Sequence, residues 1–204
     1  MPKEDWKKNT LKAIFSRAKL WPWKDGEIES ILDVACGLSL KSKFLPAKIR
    51  VGVDIYEKYF DHIEADVPYV VVKYDVRKLR DIFVAKSFDL VIGIDILEHL
   101  EKKDGFALMK QCEKIARKAV IFEVLQGFSP QNIDIWGYGG HHWQTHRSAW
   151  EMKEFTSRDY QVVLRDYMMS DVKRHTKLVV DPHVVLMDAI KFLDDPKSGK
   201  KRTL

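Results

Sequence analysis

Residues 88–100 read FDLVIGIDILEHL, and this stretch decides the fold class. The run from Phe88 to Ile94 is apolar apart from one acid, and Asp95 follows it directly. Runs of this kind, rich in Val and Ile, are typical of strands buried on both faces of a parallel sheet. Residues 105–118 then carry apolar side chains at helical spacing. The stretch therefore predicts one strand–helix unit of an α/β sheet.

Similar apolar runs lie on both sides of this unit. They predict strands at residues 31–34, 50–54 and 69–74 before it, and at 119–124 after its helix. Two further runs, at 161–167 and 183–191, have no helical pattern between them, which favours an antiparallel pair at the sheet edge. The predicted fold is a Rossmann-like, mainly parallel seven-stranded sheet with helices on both faces and an antiparallel C-terminal strand pair.

The remaining segments flank one domain. Residues 6–21 predict an amphipathic helix, and Ser148-Ala149-Trp150-Glu151 predicts a capping box that starts a helix running to about Arg158. A chain of 204 residues suits a single core. We expect an N-terminal helical segment, 1–27, to pack on a domain formed by 28–193. The basic tail, 194–204, is expected to be disordered.

Charge and cysteine content limit the class of protein. The formal net charge is +5, with +5 on residues 1–24, +2 on residues 194–204 and about −2 on the body between them. The basic groups therefore lie at the ends, which makes nucleic acid a less favoured partner. No apolar run approaches the ~20 residues of a membrane span. Cys36 and Cys112 lie in apolar stretches and form no disulfide framework, so we expect a cytoplasmic protein without a secretory signal.

Acidic residues stand at or near the ends of the first four predicted strands: Asp33, Asp54, Asp75 and Asp95. In doubly wound sheets, ligands bind at the carboxyl ends of the strands. A row of acids there is unusual for a phosphate-rich cofactor. It suits a ligand that carries hydroxyl groups, amines and a positive charge.

Four motifs resemble those of class I S-adenosylmethionine (SAM)-dependent methyltransferases. They are ILDVACG at 31–37, VGVDI at 51–55, YDV at 74–76, and the stretch at 88–100, above all its LEHL. The resemblance implies that SAM is the cofactor and S-adenosylhomocysteine (SAH) the product. It places Asp54 on the ribose hydroxyls and Asp75 at the adenine amine. The predicted cofactor residues are Asp33, Ala35, Gly37, Asp54, Ile55, Asp75, Val76 and Asp95.

The glycine-rich turn departs from the family pattern. The family often has Gly-x-Gly-x-Gly there, whereas Ala35 and Ser39 flank Gly37 in this chain. Alanine at the first position still permits close approach of the backbone. Ser39 is a candidate for capping the following segment or for binding the carboxylate of the cofactor.

Two histidines are the candidate catalytic residues. Methyl transfer from a sulfonium mainly requires alignment, and a base matters only when the acceptor must lose a proton. The resemblance places His99 beside the methyl group. His146 lies in the run WGYGGHHWQTHR at 136–147, beyond the fifth strand, where the family has acceptor-binding elements. We expect residues 127–147 to form a mobile loop and a histidine base to give a pH–rate step near neutral pH. No metal site is predicted, because no nearby cysteine or carboxylate completes a shell around these histidines.

The predicted function is transfer of a methyl group from SAM to an oxygen or nitrogen of a small-molecule, lipid or sugar acceptor. The basic ends leave an RNA methyltransferase as an alternative, and a catalytically inactive SAM-fold partner subunit is another. A nicotinamide-dependent oxidoreductase is disfavoured, because Gly-x-Gly-x-x-Gly and a second domain are both missing from the sequence.

Overall fold

The computed structural model describes residues 10–39, 42, 45–63, 69–168 and 183–193, without the side chains of Tyr167, Met168 and His183. The strands are β1 (Ser30–Val34), β2 (Ile49–Asp54), β3 (Tyr69–Lys73), β4 (Phe88–Ile94), β5 (Ala116–Leu125), β6 (Gln161–Met168) and β7 (His183–Phe192). The α-helices are α1 (Leu11–Arg17), α2 (Lys102–Ile115) and α3 (Met152–Thr156). Short 3-10 helices span Glu57–His62, Val76–Asp81 and Leu97–His99.

All seven strands form one sheet in the order β3-β2-β1-β4-β5-β7-β6. The first five strands pair in parallel, and their carboxyl ends share one edge. Strand β7 then pairs antiparallel with both β5 and β6. The predicted fold class, including the antiparallel C-terminal pair, is confirmed.

The core lies in two layers, one on each face of the sheet. Alternate residues of a strand point to opposite faces, so each strand supplies both layers. Side chains of α2, among them Leu108 and Met109, pack with Leu32 and Val91. Side chains of α1, Leu11 and Phe15, pack in the other layer.

The N-terminal helix is shorter than predicted. Within the described residues it spans Leu11–Arg17, and the Thr10 hydroxyl accepts a hydrogen bond from the backbone nitrogen of Ala13 at its start. Lys19 has a φ of 59°, which a right-handed helix does not allow, so the helix ends before it. Residues 1–9 of the predicted segment lie outside the described part of the chain. The division into 1–27, 28–193 and 194–204 stays a prediction.

The helix predicted at 105–118 is shifted toward the N-terminus. It spans Lys102–Ile115, and Ala116 already pairs with Phe88 as the first residue of β5. Residues 116–118, predicted in the helix, belong to the strand, and Ala116 is buried there. The prediction of the helix end was wrong because, over a short stretch, small apolar residues fit the spacing of a helix as well as that of a strand.

The capping box predicted at Ser148 is also wrong. Helix α3 begins at Met152, and the backbone nitrogen of Glu151 donates to the carboxylate of Glu154 over 2.8 Å. The Ser148 hydroxyl instead donates to the carbonyl of Leu97 and accepts from the indole of Trp150. The bond to Leu97 thus holds the segment before α3 against the 3-10 helix that follows β4.

The predicted tail at 194–204 lies outside the described residues. Among the helices of the described residues, none combines the length and the hydropathy that a membrane crossing requires.

Candidate functional site

A cavity of about 560 Å³ lies at the carboxyl edge of the parallel strands. It extends from Asp75, after β3, across β2, β1, β4 and β5 to Leu186 on β7. The ten residues predicted as cofactor-binding or catalytic all line it: Asp33, Ala35, Gly37, Asp54, Ile55, Asp75, Val76, Asp95, His99 and His146. The structure therefore brings these residues together, and the role of each stays a prediction.

The turn after β1 has an unusual backbone. Ala35, Gly37 and Ser39 all have positive φ values, of 56°, 47° and 54°. Positions that the family often fills with glycine thus keep the left-handed conformation here with larger side chains, at a cost of roughly 1–2 kcal/mol for each non-glycine residue. The turn therefore has the backbone conformation that glycine favours, although only one of these three residues is a glycine.

Asp54 joins this turn to the end of β2. One carboxylate oxygen accepts from the backbone nitrogen of Gly37 over 2.9 Å, and the other accepts from the nitrogen of Tyr56 over 2.8 Å. Burial raises the pKa of Asp54, and the backbone donors oppose that effect. A carboxylate held in this way at the cavity wall is suited to accepting hydrogen bonds from vicinal hydroxyls.

Asp33 lies beneath the same turn, with only 3% of its surface exposed. Its carboxylate accepts from the hydroxyls of Ser39, Ser42 and Tyr69, with a distance of 2.8 Å to the Tyr69 oxygen. Burial nevertheless raises the pKa of Asp33 from 3.8 to about 6. The hydroxyl of Ser39 thus bonds an acid at the end of β1, and residues 40–41 and 43–44, which it was expected to cap, lie outside the described residues.

Asp33→Asn is expected to stabilise the folded protein above pH 6. Because folding raises the pKa of this carboxyl, ionising it costs the folded state about 3 kcal/mol at neutral pH. The cost develops as the pH rises from about 4 to about 6, whereas the amide has no such cost and still accepts hydrogen bonds. Denaturant titrations at several pH values measure the gain, with the exposed Asp61→Asn as control. A gain that does not change with pH would contradict this account.

Asp75 faces the cavity together with a residue that sequence reasoning did not identify, Arg77. The guanidinium of Arg77 contacts both carboxylate oxygens of Asp75, the shorter distance being 2.6 Å. This contact lowers the pKa of Asp75, so the carboxylate stays ionised. The sequence did not indicate Arg77, because only the turn after β3 brings the side chains of Asp75 and Arg77 to the cavity together.

The two candidate histidines lie side by side, with ring centroids 4.8 Å apart. Nδ1 of His99 lies 3.3 Å from the carbonyl of Thr145, and Nδ1 of His146 contacts the carbonyl of Ser129. A carbonyl only accepts, so in both rings Nδ1 is the donor. In the neutral rings Nε2 is then left as a proton acceptor.

The electrostatic setting of the histidines corrects the expected pH dependence. Burial lowers the pKa of His99 to about 4, and His146 and Arg147 act in the same direction. Burial also lowers the pKa of His146, opposed by the Ser129 carbonyl and Asp95. A pH–rate step from either ring is therefore expected below the ordinary value of 6.5, and not near neutral pH.

The connection between β5 and α3, residues 126–151, closes one side of the cavity. Its central hydrogen-bond acceptor is Asp134, which receives four donors: the backbone nitrogens of Trp136, Tyr138 and Gly140 and the amide of Gln144. The buried Gln144 amide also donates to the hydroxyl of Tyr59, after β2. These bonds give the loop a defined shape, and its mobility stays a prediction.

Within the described ranges, no group of three His, Cys, Asp or Glu side chains is placed to hold a metal ion.

The donor set of the cavity fits SAM. Acids at the ends of β1 and β2 and after β3 and β4 match the hydroxyls, amines and positive charge of that molecule. At Gly37 an added Cβ would collide with the side chain of Trp136. A family model described as a methyltransferase domain matches residues 32–122, which include all eight predicted cofactor residues and His99. No curated protein sequence matches the chain.

Solved structures with the same fold have low sequence identity to this chain. A SAM-dependent methyltransferase from Archaeoglobus fulgidus is 16% identical, with a TM-score of 0.53 and coverage of 92% of this chain and 97% of that one. Magnesium protoporphyrin IX methyltransferase from Synechocystis PCC 6803, with bound SAM, is 17% identical (TM-score 0.51, coverage 89% and 79%). The N-methyltransferase NodS from Bradyrhizobium japonicum WM9, in complex with SAH, is 11% identical (TM-score 0.57, coverage 93% and 87%).

The solved structures agree in fold, and the family match covers the part of the chain that forms the cofactor side of the cavity. Residues 32–122 thus match a methyltransferase domain, the chain shares its fold with solved SAM-dependent methyltransferases, and the acids of the cavity fit S-adenosylmethionine as the cofactor.

Proposed function

We propose that the protein transfers the methyl group of SAM to an oxygen or nitrogen of a small molecule, a class that includes lipids and sugars. The observation that carries the proposal is the extent of the one cavity described above. Its β1–β3 side holds three of the acids assigned to the cofactor, Asp33, Asp54 and Asp75. Its β4–β7 side holds Asp95, the two histidines, and the apolar Leu125 and Leu186. A wall that combines apolar side chains with a few polar groups suits a small organic ligand.

Each residue has a proposed task. SAM, when bound, supplies a methyl group on a sulfonium, and SAH remains after the transfer. Asp54 holds the ribose hydroxyls, and Asp75 faces the adenine amine. Nε2 of His146 accepts the proton that a hydroxyl or amine acceptor loses when its oxygen or nitrogen bonds the methyl carbon. His99 positions His146 through the contact between their rings.

The charge of the cavity supports a small acceptor over RNA. In the described part of the chain, seven carboxyl side chains and two guanidinium groups line it. A polyanion requires clustered basic groups, which this wall does not offer. Helix α1 packs on the sheet and does not line the cavity, so its two basic residues, Lys12 and Arg17, are not placed at the site.

Asp54→Ala is expected to weaken SAM binding at least roughly tenfold. Charge-assisted hydrogen bonds contribute about 1.5–3 kcal/mol each, and the alanine also frees the turn at Gly37. Isothermal titration calorimetry measures the affinity, with Asp61→Ala, an exposed acid outside the cavity, as the matched control. Tighter binding of NADH than of SAM by the unaltered protein would overturn the assignment.

Transfer of tritium from methyl-labelled SAM tests the acceptor class. The protein is incubated with a cell extract separated into small molecules and lipids, protein, and RNA. We expect label in the small-molecule and lipid fraction. Label that becomes soluble only after ribonuclease treatment would identify an RNA methyltransferase. SAM binding without label in any fraction would identify an inactive partner subunit.

A further inference from the structure

The ring of Trp136 lies against the turn that follows β1. A Cβ added to Gly37 would collide with Cη2 and Cζ3 of the indole, so the ring covers the backbone of that residue. Trp136 also lines the cavity, although it belongs to the β5–α3 loop. It therefore forms a wall on the cofactor side of the cavity.

Neighbouring groups hold this indole in place. The ring of Tyr59 packs edge-on against it, with centroids 4.8 Å apart and an angle of 86° between the planes. The backbone nitrogen of Trp136 donates to Asp134 over 2.9 Å. Gln144 donates to both Asp134 and the Tyr59 hydroxyl, each over 2.8 Å, and so fixes the two supports relative to each other. The ring is positioned before any ligand arrives.

The position of the ring relates it to the charged atom of the cofactor. Gly37 is the residue that the indole covers, and its backbone nitrogen donates to Asp54, the carboxylate proposed to hold the ribose. In SAM, a single methylene carbon separates the ribose from the sulfonium. A ring beside the ribose carboxylate is thus within reach of the sulfonium, and the face of an indole is the aromatic surface that attracts a cation most strongly.

We propose that Trp136 is a cofactor-binding residue that recognises the positive charge of the sulfonium, and that it makes the site favour SAM over SAH. The inference rests on the proposed ribose contact of Asp54. SAH has lost the charge together with the methyl group, and its neutral sulfur has no comparable attraction to the ring. The same residue therefore helps to hold the methyl donor and to release the product.

The test compares both ligands on two variants. Trp136→Leu keeps an apolar wall but removes the aromatic face, so the Kd for SAM should rise about 5- to 30-fold. The Kd for SAH should change by less than about threefold, because no cation–π attraction is lost. Trp136→Phe, which restores a weaker ring, should recover part of the SAM affinity. Calorimetry on the unaltered full chain and on both variants gives the six dissociation constants, two for each protein, without any need for turnover.

The matched control is Trp143→Leu, at the other tryptophan of the cavity wall; the three atoms nearest to a Cβ added at Gly37 all belong to Trp136. It should leave the ratio of the two constants unchanged. Equal weakening of SAM and SAH by Trp136→Leu would overturn the proposal and leave the indole as a packing surface, as would no change in either. Asp54→Ala tests the ribose contact separately, since both ligands carry the ribose and should lose affinity together.

Discussion

His146→Gln is expected to lower turnover by ~10²–10⁴-fold without changing the affinity for SAM, provided that the acceptor must lose a proton. Glutamine retains the size of the side chain but cannot take up a proton. The Ser129 carbonyl fixes Nδ1 of His146, so Nε2 alone is left as the base. His99 is less suited to this role, because burial and two basic neighbours hold its pKa at about 4.

The pH profile separates a base from a merely structural histidine. Because the pKa of His146 is lowered in the folded protein, its ring remains neutral to a lower pH than that of an ordinary histidine. Activity should fall only as the pH drops further, and the glutamine variant should lose this acid limb. His141→Gln is the matched control, since His141 is exposed on the same loop and does not line the cavity. Loss of SAM binding in the His146 variant would show that the residue supports the structure instead.

Arg165→Met is expected to lower the free energy of unfolding by about 3–5 kcal/mol, because it leaves two buried carboxylates without their guanidinium. Arg165 on β6 donates to Asp188 on β7 and, over 2.7 Å, to Glu123 on β5. Both acids are at most 1% exposed. The guanidinium therefore ties the three strands of the antiparallel edge together through their side chains.

Urea titrations of matched variants check this expectation. Arg117→Met removes a guanidinium from another acid of the same sheet, Asp89, but Arg117 is 43% exposed, so the loss should stay within about 1 kcal/mol. Adding Glu123→Gln and Asp188→Asn to Arg165→Met should restore much of the stability, because the two buried negative charges that faced the guanidinium are then gone. Equal losses for the two arginine variants would show that burial does not set the strength of the pair.

The parts of the molecule that follow from strand positions could be predicted from the sequence. Phe88–Ile94 has the predicted bounds, because its run of buried apolar residues has no competing helical period. Asp33, Asp54 and Asp75 meet at one cavity because parallel strands bring their carboxyl ends to the same edge. The positions of the strands along the chain are therefore enough to predict which residues reach the cavity.

Contacts between distant segments could not be predicted in this way. Tyr59 and Trp136 meet only because the β5–α3 loop folds back over the residues after β2, which no local pattern indicates. Ser148 resembled a helix cap, yet the Leu97 carbonyl and the Trp150 indole use its hydroxyl. The lowered pKa of His99 depends on its burial, which cannot be read from the local sequence around it.

The four donors on Asp134 make the shape of the β5–α3 loop largely a property of the loop itself. Exposed side chains of the loop, such as Phe128 outside the cavity and Trp143 on its wall, can then be exchanged while the indole of Trp136 keeps its place. The loop thus has a part that Asp134 holds in shape and side chains that this bonding does not constrain. Evolution can thereby change which molecule is modified without rebuilding the grip on the methyl donor.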